Sequence, residues 1–115
     1  MNLNKTFMGA RKSEVFSDRE NELAELAKAL GHPARIAILK ALAQQNVCVC
    51  GQLVDVVPLA QSTVSQHLKE LKAAGLIKGT VEGVKSCYCI DWSALARLRK
   101  LLDDFFTQPP GDCSC

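Results

Sequence analysis

Residues 61–74 constrain the fold of this 115-residue chain more than any other segment. Val64, Leu68 and Leu71 are spaced at i, i+4 and i+7, which predicts one apolar stripe along a helix. The side chains on the opposite face are short, polar and rich in hydrogen-bond donors. Gly75 follows directly, and glycine is the residue type that most often ends a helix. The segment therefore predicts a helix that is anchored on one side and presents a polar surface on the other.

The rest of the chain predicts short elements around this helix. A capping box begins at Ser17, Pro33 suits the first turn of a second helix, and Asp91 can cap a last one. Residues 52–57 form either a short helix or, because they contain three valines, a strand. Residues 82–83 suit a two-residue hairpin turn. The predicted elements are helices over 17–30 and from 33 onward, the short segment 52–57, the helix 61–74, strands over 76–81 and 84–91, and a helix over 92–106.

Apolar periodicity also selects core positions in the flanking helices. The predicted positions are Leu23, Leu26, Ala27 and Leu30 in the first helix, Ile36, Ile38, Leu39 and Leu42 in the second, and Leu95, Leu98, Leu102 and Phe105 in the last.

This order of elements is typical of a winged helix-turn-helix, a mainly α-helical fold with a small β-hairpin. Residues 52–57 are then the first helix of the DNA-binding pair, and residues 61–74 are the recognition helix. The geometric reason is that the major groove of DNA, about 12 Å wide, admits one helix. The expected organisation is an N-terminal arm over 1–16, the domain over 17–106 with its wing over 76–91 and its last helix over 92–106, and a flexible tail with cysteines over 107–115.

The polar face of the recognition helix and the adjoining hairpin carry residue types that contact DNA. The chain has a formal net charge of +2, and the positive excess lies in residues 61–85. Hydroxyls at the helix start suit phosphate, serine and glutamine in its middle reach base edges, and lysines bind phosphate or guanine. His67 lies near the apolar stripe, which favours a half-buried structural role over base reading. The predicted DNA-binding residues are Gln61, Ser62, Thr63, Ser65, Gln66, His67, Lys69, Lys72, Lys78 and Lys85.

Composition excludes several other classes of protein. No apolar run approaches the roughly 18 residues that span a bilayer, and the N-terminal residues lack the apolar core of a signal peptide. The sequence has no Gly-rich phosphate loop, no HExxH motif and no recognisable set of Cys, His and acid, so we expect no enzymatic activity. We therefore expect a cytoplasmic protein without a membrane partner, whose reduced cysteines serve metal or redox chemistry.

All six cysteines fall in three Cys-x-Cys pairs. The two cysteines of one pair are poorly placed for a disulfide with each other, but they form a good chelate when the chain turns between them. Thiolates select thiophilic ions such as Cd(II), Pb(II), Zn(II) and Cu(I). Cys48 and Cys50 are expected at the start of the first helix of the DNA-binding pair, where the helix dipole favours thiolate. Cys87 and Cys89 alternate with Tyr88 on a strand, so we expect both to point to one exposed face.

Three segments resemble the ArsR/SmtB family of metal-responsive bacterial repressors, and the resemblance covers about residues 20–106. They are LGHPARIAIL at 30–39, CVC at 48–50 and STVSQHLKELKAAGLI at 62–77. The resemblance implies a homodimer, joined by the first and last helices, that binds an operator in double-stranded DNA and releases it when an inducer binds. The broad apolar stripes on the terminal helices of so small a domain also favour a dimer, whose two recognition helices would match a palindrome.

Similarity to the arsenic sensors of this family implies As(III) or Sb(III) as the inducer, with Cd, Pb or Zn as alternatives and no required cofactor. The chain departs from these sensors because residues 51–55 lack a third cysteine, and residues 1–47 contain no cysteine. The third thiolate must then come from another pair, and we favour the tail because a flexible segment can reach. The predicted metal ligands are Cys48, Cys50, Cys113 and Cys115, with Cys87 and Cys89 as the second choice.

Two other functions are compatible with the sequence. A thiol redox or persulfide sensor of the same fold would use oxidation of paired cysteines in place of metal binding. A metal-sequestering thiol protein would have no DNA role, so it would show no salt-dependent binding to a palindrome.

Overall fold

The computed structural model describes residues 15–45, 48–50, 57–80, 82 and 86–107. The elements are α1 (Asp18–Leu30), α2 (Pro33–Gln45), β1 (Val49–Cys50), α3 (Gln61–Ala73), β2 (Ile77–Thr80), β3 (Cys87–Ile90) and α4 (Trp92–Phe106). Most of the segment predicted over 52–57 lies outside the described residues, as do most of the predicted arm and tail. None of the described helices is both long enough and apolar enough to cross a membrane.

Local hydrogen bonds begin helices α1 and α4 where the sequence predicts. Ser17 Oγ accepts from the backbone N–H of Glu20 at 3.1 Å, and the Glu20 carboxylate accepts from the N–H of Ser17 at 2.9 Å. Asp91 begins α4 by accepting from the N–H of Ala94 at 3.1 Å. The capping box is thus confirmed, and each cap satisfies a backbone donor that lacks a partner within its helix.

The apolar stripe of α3 lies at the centre of the core. Val64, Leu68 and Leu71 are each no more than 2% exposed. They pack in one cluster with side chains from the other helices and from the sheet, among them Leu26, Ile38, Tyr88 and Leu98. As predicted, α3 is fixed to the domain by one face and turns the other to solvent.

Three residues predicted in the core, Ala27, Ile36 and Phe105, are exposed instead. Ile36 is 40% exposed, since it lies about 160° from Ile38 around α2 and so faces the opposite side. Phe105 is 60% exposed although it continues the stripe of α4, because the last turn of this helix extends past the core. Leu101, which the predicted stripe omitted, is buried. The core predictions for Ala27, Ile36 and Phe105 are therefore wrong for a single chain.

The sheet has the strand order β1-β3-β2, and both neighbouring pairs are antiparallel. The predicted two-residue turn would pair Thr80 with Lys85, but the structure pairs Thr80 with Cys87. The predicted turn is therefore wrong, and the register differs by two residues. The Glu82 N–H donates to the buried hydroxyl of Ser86 at 2.6 Å. This bond places Ser86 in the loop, whereas the predicted turn would place it in the ladder.

Two glycines adopt backbone conformations that other residues rarely take. Gly75 has a φ of 81° and ends α3 as predicted. Gly79 has a φ of 113°, and a Cβ there would lie 2.1 Å from the carbonyl oxygen of Cys87. Glycine at this position of β2 therefore permits the close approach of β3.

Candidate nucleic-acid interface and cysteine cluster

The outward face of α3 presents polar side chains to solvent. Gln61 and Ser65 are half-buried at its edge, where Gln61 Nε2 donates to Ser65 Oγ at 3.3 Å. Gln66 Nε2 donates to Glu70 Oε2, also at 3.3 Å. Ala60, at the N-cap, has no side-chain oxygen to accept from the first amides, and such a helix start suits a phosphate. The exposed members of the predicted set on α3 are Ser62, Thr63, Gln66, Lys69 and Lys72.

His67 is half-buried and contacts α2. Its ring centroid lies 4.4 Å from that of His32, and its Nδ1 accepts from Arg35 Nε at 3.4 Å. Partial burial lowers the pKa of His67, and the nearby His32 and Arg35 lower it further. These contacts favour the structural role of His67 over base reading.

Arg35 and His32 join helices at the start of α2. The Arg35 guanidinium donates to the carbonyls of Lys28 at 3.2 Å and Ala29 at 3.1 Å, near the end of α1. His32 Nδ1 accepts from the N–H of Ala34 at 3.0 Å, within the first turn of α2. Sequence reasoning missed Arg35. The available signal was a cation in the first turn of a helix, where the helix dipole disfavours positive charge.

The wing contributes one described lysine to the candidate interface. Lys78 in β2 is exposed and pairs with Cys89 of β3. Directly opposite residues of an antiparallel pair point to the same face, so Lys78 and Cys89 share the outer face of the sheet. Lys85, also predicted to contact DNA, lies outside the described residues.

Four cysteines from two distant segments meet on this outer face, and we call them the cysteine cluster. β1 pairs with β3 so that Cys50 lies opposite Cys87. Disulfides join Cys48 to Cys89 and Cys50 to Cys87, with Cα–Cα distances of 4.3 and 4.0 Å. The expectation that these cysteines remain thiols is therefore not met in this structure. Across two strands, unlike within one Cys-x-Cys pair, the backbones lie close enough for a bridge.

The segment 48–50 is extended and does not begin a helix, contrary to the expectation from the sequence. Val49–Cys50 is a strand, in which Val49 is half-buried and the neighbouring cysteines are exposed. The motif in β3 alternates in the same way, with Tyr88 buried at 1% exposure, as predicted. This shared alternation of cysteine and apolar residue is the signal from which the pairing could have been found.

Within the described parts of the chain, no group of three or more His, Cys, Asp or Glu side chains is placed to hold a metal ion. A disulfide sulfur carries no thiolate charge, so the cluster could bind an ion only after reduction. Once reduced, it would offer sulfur ligands alone, which soft ions prefer. The predicted ligands Cys113 and Cys115 lie outside the described residues.

Helices α1 and α4 pack side by side and leave aromatic side chains in solvent. The Arg97 guanidinium donates to both carboxylate oxygens of Glu22, at 2.8 and 3.0 Å, and this lowers the pKa of that carboxyl. Near the ends of α4, Trp92, Phe105 and Phe106 are 53%, 60% and 72% exposed. Adjacent exposed phenylalanines favour a surface that another chain covers.

Comparisons with known proteins place these features among transcriptional regulators. Residues 32–78 match the family described as bacterial regulatory protein, arsR family. A HTH-type transcriptional regulator of Methanocaldococcus jannaschii is 38% identical over 88 residues, which are 76% of this chain and 98% of that protein. The HTH-type transcriptional regulator CmtR of Mycobacterium tuberculosis is 44% identical over 79 residues, covering 69% of this chain and 66% of CmtR.

A solved structure supports the fold alone. The ArsR-like transcriptional regulator from Rhodococcus sp. RHA1 superposes with a TM-score of 0.60 at 24% sequence identity. The superposition covers 75% of this chain and 80% of that one. The helices and the three-stranded sheet therefore form a winged helix-turn-helix.

Proposed function

We propose that this chain, which belongs to the arsR family of bacterial regulatory proteins, is a repressor that releases operator DNA when a thiophilic metal or metalloid ion binds its thiols. Members of this family are transcriptional regulators and not enzymes, and they bind operator DNA. The finer parts of the proposal concern the DNA contacts, the dimer and the ion.

The polar face of α3 carries the DNA part of the proposal. Its opposite stripe is buried to 2% exposure or less, so the helix can present its outer side chains without moving from the domain. Ser62 and Thr63 contact phosphate at the start of the helix, and Ser65 and Gln66 reach base edges. The remaining proposed contacts come from Gln61, Lys69 and Lys72 on α3 and from Lys78 and Lys85 on the wing.

The repressor acts as a homodimer in this proposal. Phe105 and Phe106 extend the apolar face of α4 beyond the core of a single chain, and a second copy would cover them. A two-fold dimer would set two copies of α3 about one turn of DNA apart and match a palindromic operator.

As(III) or Sb(III) is the proposed inducer, with Cd, Pb and Zn as alternatives. Cys48 and Cys50 would supply thiolates, and an ion bound there would cross-link this segment to its other sulfur ligands. Further ligands come from Cys113 and Cys115 or from Cys87 and Cys89. A regulator that combines DNA binding with reactive thiols works in the cytoplasm, where thiols stay reduced.

Fluorescence anisotropy with DNA from upstream of the chain's own coding sequence tests the DNA part. Replacing both Ser65 and Gln66 by alanine should weaken operator binding about 10- to 100-fold, because base contacts contribute about 1–3 kcal/mol. Binding to unrelated DNA should change little. The matched control replaces Lys40 and Gln44, which are exposed on α2, by alanine. An equal loss of affinity for both DNAs would show that this face of α3 does not read bases. If the protein shows no salt-dependent operator binding, the metal-sequestering alternative is favoured.

The same assay tests the inducer in a strictly reducing buffer. Stoichiometric arsenite or antimonite should release the DNA, and the double variant Cys48→Ser with Cys50→Ser should still bind DNA but resist release. Cadmium and zinc are titrated in parallel to rank the alternatives. Absence of release by all four ions contradicts metal control.

A thiol redox sensor of the same fold is the second candidate, and the two cross-strand disulfides favour it. One peroxide molecule would oxidise two thiols to a disulfide and leave two molecules of water. Release of DNA by hydrogen peroxide without added metal supports this candidate, whereas release by an ion in excess reductant supports metal control.

A further inference from the structure

The cysteine cluster is assembled from parts of the chain that are 37 and 41 residues apart in sequence. Only the register of β1 against β3 brings these parts together. Cys48, Cys50 and Cys87 are exposed and Cys89 is half-buried, so an ion could reach all four sulfurs from solvent. Beneath them, the buried Tyr88 ties the strands to the core.

We infer that the cluster, once reduced, is a binding site for one soft divalent cation such as Cd²⁺ or Zn²⁺, held by all four thiolates. Cys87 and Cys89 of the wing then supply the third and fourth ligands, in place of the tail. The inference rests on the proposed function, because it concerns the same sensor: it selects the divalent alternatives named there over As(III) and Sb(III), and it names their ligands.

The spacing of the backbone suits this assignment. Cross-strand Cα atoms lie 4.0 and 4.3 Å apart, and residues two positions apart along a strand are separated by about 7 Å. The four side chains therefore rise from the corners of a small rectangle on one face. Tetrahedral zinc thiolates need sulfurs about 2.3 Å from the ion, which places the sulfurs about 3.8 Å from one another. The four cysteine side chains can therefore bring their sulfurs together around one ion that lies above the centre of this rectangle.

Oxidation and ion binding exclude each other at this site. Each disulfide must first gain two electrons and two protons from a dithiol reductant, which is itself oxidised to a disulfide. The four thiols then lose four protons when they bind the cation. The reduced protein therefore binds the ion, and the disulfide form does not.

Charge gives the site a direct effect on the adjoining surface. A divalent cation with four thiolates carries two net negative charges, whereas the four protonated thiols of the metal-free, reduced protein carry none. Lys78 lies opposite Cys89 on the same face, and it is a proposed DNA contact. The loaded site therefore attracts the Lys78 ammonium and repels DNA phosphate. A trivalent metalloid bound by three thiolates is neutral and lacks this effect.

Titration of the full chain with Cd²⁺ tests the assignment without DNA. The ultraviolet thiolate-to-cadmium charge-transfer band of the reduced protein should saturate at one ion per chain. The double variants Cys48→Ser with Cys50→Ser and Cys87→Ser with Cys89→Ser should each halve the band and weaken binding about tenfold or more. Cys113→Ser with Cys115→Ser, which has the same residue type and spacing, decides between the wing and the tail as the source of the third and fourth ligands, and the assignment to the wing requires both the band and the affinity to stay unchanged. Loss of the band in the tail variant, or an unchanged band without Cys87 and Cys89, overturns the assignment.

Alkylation of the unmutated protein is a second test, which does not depend on whether the variants fold. Bound Cd²⁺ should protect Cys48, Cys50, Cys87 and Cys89 from iodoacetamide and leave the tail cysteines reactive, as read by mass spectrometry. Protection of the tail instead, or cadmium binding of equal strength after oxidation with diamide, overturns the inference. A failure of metal-dependent DNA release would contradict the proposed function while leaving these binding results unchanged, so the two failures are distinguishable.

Discussion

Helix α3 and the cysteine cluster differ in how much of the chain decides their structure. The stripe, the polar face and the end of α3 all lie within residues 61–75. The cluster needs two segments separated by 37 residues or more, so its formation carries the entropy cost of closing a long loop. The surface proposed to read DNA is thus defined locally, whereas the proposed sensor exists only in the folded domain.

The sheet joins these two regions physically. β3 lies between β1 and β2, and β2 begins two residues after the glycine that ends α3. Leu76, between α3 and β2, accepts from the Asp91 N–H at 3.0 Å, next to the start of α4. A change in how β1 and β3 pair therefore acts on a strand that is tied to both α3 and α4.

Removing an anchor of α3 should have the largest effect on stability. Leu71→Ala should lower the free energy of unfolding by about 2–5 kcal/mol, because it opens a cavity at a fully buried position. Lys69→Ala, on the exposed face of the same helix, should change it by less than about 0.5 kcal/mol. Denaturant titrations measure both. Similar values for the two variants would contradict the division of α3 into a buried and an exposed face.

Glycine substitutions test how strongly the sheet depends on close strand approach. Gly79→Ala should lower the free energy of unfolding by about 3 kcal/mol, because the new Cβ would clash with the Cys87 carbonyl at a strained φ. Gly75→Ala also has a positive φ but has open space, so it should cost only about 1 kcal/mol. Gly79→Ala should also slow formation of both disulfides on oxidation, measured by mass spectrometry. Equal costs would show that φ alone, and not strand approach, matters at Gly79.

Local sequence patterns predicted many of the helix boundaries and several buried positions of this chain. The capping box at Ser17, the helix ends near residues 74 and 106 and the inward position of Tyr88 depend on neighbours a few residues away, so the sequence displays them directly. The resemblance to the ArsR/SmtB family is likewise confirmed. The DNA-binding residues and the metal ligands stay predictions.

Features that depend on contacts between distant parts of the chain could not be predicted from local sequence patterns. The hairpin register depends on a hydrogen bond to the buried Ser86 and on strand approach at Gly79, which turn preferences do not encode. The exposure of Phe105 depends on where the core ends, and not on the periodicity of α4. The pairing of Cys50 with Cys87 requires the whole domain between them to fold.

His67 lies on α3, but its surroundings are set by residues that are distant in sequence. It therefore differs from the other side chains of this helix, whose positions follow from local spacing. Its contacts are with His32 and Arg35, more than thirty residues earlier in the chain. Burial first, and these neighbours second, lower its pKa from the ordinary value of 6.5. The folded protein therefore holds a proton on His67 less tightly than the unfolded chain does.

This pKa shift predicts the smallest effect, a pH dependence of stability. Well above pH 6.5, His67 is neutral in both states and its titration does not affect stability. As the pH falls below that value, the unfolded chain binds the proton first, so the free energy of unfolding decreases until the folded form is protonated too. His67→Gln should remove this part of the decrease, as measured by denaturant titrations between neutral and mildly acidic pH. If the free energy of unfolding depends on pH in the same way in the unmutated protein and in the variant, the contacts with His32 and Arg35 do not change the titration of His67.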